Sequence, residues 1–263
     1  MQNWKITLTY DGTPYHGWQV QPGLQTVQGT LAEAIRNITG ETVLPQGSGR
    51  TDTGVHALAQ VASFSLACPI PGDNLRRALN RILPASIRVL RLEAVGPEFH
   101  ARHSAVRKTY EYRIFPSYVA GRDGREEAVC SPMLAPFVWD CRWPLDLQAM
   151  SAAAALVVGM HDFTSFAATQ PDLAERMDES APKSNIRTIF RSCWQAQDAL
   201  YLYRVTGSGF LHHMVRNLVG TFTEIGTGRM APEAVTEILA ARSRSSAGRT
   251  APARGLFLAE VVY

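Results

Sequence analysis

Gln46-Gly47-Ser48-Gly49-Arg50-Thr51-Asp52-Thr53-Gly54-Val55-His56-Ala57 is the stretch on which the reading of this chain turns. It holds one carboxylate, Asp52, among three glycines and close to an arginine. Glycine tolerates positive φ and lets a backbone approach a ligand closely, and a carboxylate near a guanidinium stays ionised. Asp52 therefore reads as a charged group that a bulky substrate can reach. The plainer alternative is a tight turn in which Asp52 caps Val55 or His56.

Outward from this loop the pattern is regular. Residues 4–10 alternate, with Ile6, Leu8 and Tyr10 on one face, and predict a strand. Thr26 is placed to N-cap a helix with the stripe Val27, Leu31, Ala34, Ile35 and Ile38, and Gly40 stops it. A short strand over 42–45 leads into the loop, and 60–66 alternate again. Asp73 caps a second helix carrying Leu75, Ala78, Leu79 and Ile82, stopped by Pro84, and 87–94 give another strand. The order is β-α-β-β-α-β, the ferredoxin-like pattern.

The second half repeats it with insertions: strand 109–115, helix 146–158 ending at Gly159, strands 187–195 and 200–207, then helix 210–225. That last helix has the stripe Met214, Val215, Leu218, Val219, Phe222 and Ile225. Pro232 begins a small extra helix and residues 256–262 close the sheet. The expectation is an α+β fold of two ferredoxin-like halves, 1–104 and 105–263, sharing a largely antiparallel sheet with the active-site cleft between them. Residues 116–133 and 167–185 read as mobile, and 242–254 as a basic loop that either contacts phosphates or is simply solvated.

The loop around Asp52 resembles the catalytic loop of the tRNA pseudouridine synthases of the TruA type. Further blocks are similar to that family, in family order: residues 10–19 (Tyr10-Asp11-Gly12 onward), Phe99-His100-Ala101-Arg102 with Tyr110, and Gly159 to Phe163 with Phe166. Phe210 to Asn217 and Gly255 to Leu258 complete the set, so the resemblance spans nearly the whole chain. It implies the same two-half fold and the isomerisation of uridine to pseudouridine in the anticodon stem-loop of tRNA, at positions 38, 39 and 40, by a homodimer. It also implies site residues. Asp52 is nucleophile or base, Arg216 its cationic partner, Tyr110 the ring that stacks on the target base, and Leu256 a wall of the base pocket.

The residues themselves are compatible with those roles. Pseudouridine formation oxidises, hydrolyses and carries nothing, so it calls for no cofactor or metal. Arg216 falls beside the buried stripe of its helix, where an unpaired charge is costly, though a snorkelling arginine fits the same place. Tyr110 and Leu256 also fit as core residues, and Tyr112 reads as core. Arg50 either holds the flipped-out position, pairs with a phosphate, or makes a loop ion pair. His56 is read as ordering its own loop. His212 and His213 would diverge by about a hundred degrees on a helix, which argues against a metal pair, and His161-Asp162 read as a helix-exit cap.

Bulk properties exclude several classes. A chain of 263 residues with 46% hydrophobic and 19% charged side chains is an ordinary globular protein, not a disordered one. Its four cysteines make no Cys-x-x-Cys pair, so neither a zinc site nor a disulfide framework is suggested. The run from Ala152 to Val158 is too short to span a bilayer, and a strand pattern starting near residue 4 leaves no signal peptide. A cytoplasmic setting is expected. The net charge is only +3, but Lys5, Lys108 and Lys183 are the only lysines among 26 basic residues. Arginine suits phosphate and base recognition, as it also suits a GC-rich coding sequence.

Two other functions compete. Asp52-Thr53-Gly54 is also the aspartic-protease signature, but that chemistry needs two carboxylates sharing a proton and no second Asp-Thr-Gly occurs. A non-catalytic RNA-binding module is disfavoured because neither half carries an aromatic-rich signature strand. A phosphate-binding loop fails for want of a lysine after Gly49.

Overall fold

The computed structural model describes residues 1–121, 124–168 and 184–263. The chain forms two compact units, one of Met1–Lys108 with Phe257–Tyr263 and one of Thr109–Leu256. The sequence division assigns the last strand to the second half, whereas by contacts it packs into the first.

In the first unit, β1 (Gln2–Tyr10) buries Trp4, Ile6, Leu8 and Tyr10 on alternate positions, as a strand with one covered face requires. It lies between β3 (His56–Leu66) and β4 (Ile87–Val95), antiparallel to both. Helix α1 (Val27–Thr39) has both predicted caps. The Thr26 side chain accepts from Gly29 N, and Gly40 closes the helix at φ 75°. Helix α2 (Gly72–Ile82) buries only Leu75 and Leu79. Ile82 is exposed, and Leu83, just past the helix, takes the buried place instead. Asp73 is not its cap: the N-cap is Pro71, and Asp73 sits in the first turn, 3.8 Å from Arg76 Nε. The strand expected over 42–45 is displaced to Gln46–Gly47 (β2), because pairing with Ala62 and Ser63 of β3 sets its position.

In the second unit the strand order is β5-β11-β10-β9, where β5 is Arg107–Pro116, β9 Gly159–Asp162, β10 Ile186–Gln197 and β11 Leu200–Gly207. Two more pieces come from segment 116–133 and its neighbourhood. A hairpin of β6 (Tyr118–Gly121) and β7 (Gly124–Glu127) occupies part of the stretch read as a mobile loop. Strand β8 (Trp139–Cys141) runs parallel to β5. Most of 167–185 lies outside the described residues. Helix α3 (Leu147–Ala155) is capped by Asp146 and is shorter than the expected 146–158. Helix α4 (Met214–Gly226) carries the whole predicted apolar stripe buried, and α5 (Ala234–Ala241) is the small extra helix. Strand β12 (Leu256–Val262), the last in the chain, returns to the first unit and pairs parallel to β3 at His56 and Ala57. Within the unit, Trp194, Tyr203 and Phe222 form the aromatic centre of the core, with the Tyr203 ring 5.0 Å from Trp194 and 5.3 Å from Phe222.

Helix α4 is more enclosed than a stripe predicts. Asn217, Thr221 and Thr223, off the apolar face, are buried as well. The cover is the segment 243–251, part of the basic loop 242–254 that the sequence leaves open between phosphate contact and plain solvation. Gly248 N donates to Thr221 Oγ1 at 2.9 Å and Ala251 N to Arg216 O at 3.1 Å, so the strap lies along the helix.

Candidate active site

The Asp52 loop is held by backbone on one side and buried polar groups on the other. A Cβ on Gly12 would come 2.0 Å from Val55 O, and one on Gly17 2.6 Å from Thr51 O, so only glycine admits this approach. Trp18 N donates to Thr51 O at 3.0 Å, and Val55 N closes the turn onto Asp52 O at 3.1 Å. The turn is therefore made by the Asp52 carbonyl, and the Asp52 side chain is half-buried.

Gln60, fully buried in β3, clamps the upstream end. Its Oε1 accepts from Ser48 Oγ at 2.7 Å and its Nε2 donates to Gly49 O at 2.9 Å. Lys108 Nζ donates to Ser48 O. Tyr10 and Thr51 share a hydroxyl hydrogen bond of 2.8 Å, and burial pushes the Tyr10 phenol well above its ordinary pKa, so it remains neutral. Sequence reading missed Gln60, Lys108 and Tyr10 as supports. The available signal was Gln60 itself, a polar residue at an inward position of an apolar strand, which needs partners when buried.

His56 orders the loop as expected. Its Nδ1 accepts from Gly12 N at 3.0 Å, and its ring stacks on Phe257 with centroids 4.7 Å apart. Asp11 Oδ1 is 3.2 Å from the same nitrogen. Arg50 lies in the same loop, half-buried, two residues from Asp52.

The other three predicted residues lie within the second unit or at its end. Tyr110, on β5, is 8% exposed and meets Phe210 edge-on at 5.0 Å and 80°. Tyr112 is core, and its hydroxyl donates to Pro252 O at 2.7 Å. Arg216, in the first turn of α4, is half-buried and donates from Nε to Ala251 O at 2.8 Å. This bond fixes the base of the guanidinium. The group lies close enough to Tyr112 to act on its phenol electrostatically, against the larger effect of burial, which raises that pKa. Leu256 is buried at the start of β12.

Two histidine readings are corrected. His212 and His213 precede α4 instead of lying on it. His213 takes the left-handed conformation at φ 60°, and the two rings sit 4.0 Å apart, so the helical argument separating them does not apply. Asp162 ends a strand, not a helix. It accepts from Thr164 N at 3.0 Å and Thr164 Oγ1 at 2.6 Å and faces Arg242 Nε at 3.3 Å. The Thr164 hydroxyl is the main reason its carboxyl pKa lies below the ordinary value.

An α+β fold of this connectivity is consistent with the pseudouridine synthases, a class of RNA-modifying isomerases. The family model described as tRNA pseudouridine synthase matches residues 6–104 and 153–263. The chain belongs to that family and is an isomerase acting on uridine in tRNA. It is 51% identical to tRNA pseudouridine synthase A of Solibacter usitatus over the full length of both chains. It is 45% identical to the protein of that name from Moorella thermoacetica, over 98% of each chain. It is also 40% identical to the one from Acetivibrio thermocellus, over all of both. No helix among the described residues is long and apolar enough to cross a membrane.

Proposed function

We propose that this chain isomerises uridines 38, 39 and 40 in the tRNA anticodon stem-loop, in the cytoplasm and as a homodimer whose second subunit helps grip the tRNA. Asp52 is the catalytic carboxylate, Arg216 its cationic partner, Tyr110 the stacking platform, Leu256 a wall of the base pocket and Arg50 a contact to the flipped nucleotide or its phosphate. The observation that carries the reading is the loop's construction. Its backbone is fixed by Gly12, Gly17, Trp18 and Gln60, while the one carboxylate it presents is only half-buried.

The chemistry is internally balanced. The bond from ribose C1′ to N1 breaks, the base turns, C1′ bonds to C5, the C5 proton leaves and N1 gains one. No cofactor or metal takes part. Attack at the sugar, addition to the base and proton abstraction from the sugar each need an ionised Asp52. The base must first leave the RNA stack, which costs a few kcal/mol, and a ring such as Tyr110 returns roughly 1–3 kcal/mol by stacking.

Purified protein with 5-tritiated uridine in tRNA, without added cofactor, is expected to release tritium in step with pseudouridine at 38–40. Pseudouridine confined to other positions would overturn the anticodon assignment. For Tyr110, replacement by Phe is expected to keep stacking and most of the tRNA affinity, whereas Tyr110→Ala weakens binding. If the hydroxyl also relays a proton, Tyr110→Phe slows turnover as well. Single-turnover rates unchanged in both variants would remove this residue from the site.

A further inference from the structure

The second unit holds an open cleft of about 650 Å³ whose lining includes His212, His213, Arg244, Arg249 and Thr250. Part of its wall is the strap 243–251, and the closeness of that strap to α4 is set by Gly220. A Cβ there would lie 1.6 Å from Arg249 O, so no other residue lets the strap rest on the helix. The α4 N-terminus opens beside the cleft, and its cap residue His213 supplies no side-chain acceptor to the first turn.

The cations in this wall differ in how their charge is met. Arg249 is answered already, with Nε 3.0 Å from Glu224 Oε1 and its guanidinium 4.4 Å over the Trp143 ring. Arg244 is not. It is half-buried, and its hydrogen bonds go to Ala247 O at 3.3 Å, Asn217 Oδ1 at 3.1 Å and Thr250 Oγ1 at 3.1 Å, all uncharged acceptors. Burial works against its charge and lowers its pKa, yet guanidinium remains protonated in proteins. These three bonds hold the fork in place. The arrangement is a pre-organised cation without a carboxylate partner among the described residues, next to a helix N-terminus that favours negative charge.

We propose that this cleft receives one phosphate of the RNA backbone, with Arg244 as its counter-charge. The inference rests on the reading of the chain as a tRNA-modifying enzyme. With both Nη2 hydrogens given to Asn217 and Thr250, Arg244 offers a phosphate its charge and its remaining N–H groups, and the volume leaves room for the adjoining ribose.

The test is tRNA binding across a salt series for the wild type, Arg244→Gln and Ser245→Asp. Because Arg244 also ties Asn217 to Thr250, its loss can disturb the fold. Ser245 is exposed at the rim and its hydroxyl bonds only Ser243 Oγ, so Ser245→Asp adds a repelling charge without removing those ties. Each variant is expected to bind about tenfold more weakly at moderate salt, with the slope of log affinity against log salt smaller by roughly 0.7–0.9. Inorganic phosphate at constant ionic strength is expected to compete with tRNA on the wild type and not on Arg244→Gln. Wild-type affinity and slope in both folded variants would overturn the proposal. Phosphate competition that depends on Arg244 with unchanged slopes would reassign the cleft to free phosphate and overturn the RNA assignment. Absence of pseudouridine formation by the wild type would instead sink the underlying reading.

Discussion

Asp52→Asn is expected to leave folding and tRNA affinity nearly unchanged while pseudouridine formation falls below detection. The turn is closed by Val55 N on the Asp52 backbone carbonyl, and the loop is otherwise held by Gln60, Thr51 and the two glycine contacts. Asparagine is nearly isosteric with aspartate and leaves these contacts in place. What is lost is the negative charge that all three routes to pseudouridine require. Asp52→Glu keeps that charge and advances it by one methylene. A displacement of about 1 Å can cost on the order of a hundredfold in rate, so Glu is expected to be badly impaired too. Tritium release, thermal melting and tRNA binding on the same preparations check this. A well-folded Asp52→Asn protein with ordinary turnover would refute the catalytic role.

Gly12→Ala is expected to damage both stability and rate. The new methyl would meet Val55 O at 2.0 Å and Val55 C at 2.5 Å, both main-chain atoms with no rotamer to yield. Either β1 or the loop must move. The loop is the part that carries the strain to Asp52, since Val55 N is bonded to the Asp52 carbonyl at 3.1 Å. Overpacking of this kind costs about 1–3 kcal/mol, and a loop shift near 1 Å lowers the rate on the order of a hundredfold. Melting temperature and single-turnover rate read the two effects separately. A variant that melts and reacts like the wild type would show that the approach of Gly12 to Val55 has slack.

These two predictions draw on different kinds of information. Asp52 is singled out by the sequence because the string around it is long and chemically unusual. Gly12 stood in a family-like block, but its partner, Val55, is 43 positions away and no periodicity points to it. Gln60 was half-legible: its polarity at an inward strand position signals a buried partner, though not that the partner is Ser48 and Gly49. Lys108 gives no signal at all, because its bond to Ser48 O depends on how β5 enters the sheet.

The sequence by itself determined α1 with both caps, the buried stripe of α4, the β-α-β-β-α-β order and the family. Caps and helical stripes are settled by residues within about four positions of one another, and the family is carried by contiguous blocks. The tertiary structure decided where β2 pairs, that His212 and His213 stand before their helix, and that the strap 243–251 buries the second face of α4. It alone left Arg244 charged, half-buried and bonded only to neutral acceptors. Strand register, the covering of a helix's polar face and the choice of a cation's partner each depend on segments tens of residues apart. Their energies come from packing and desolvation once the chain has closed, and no local pattern records them.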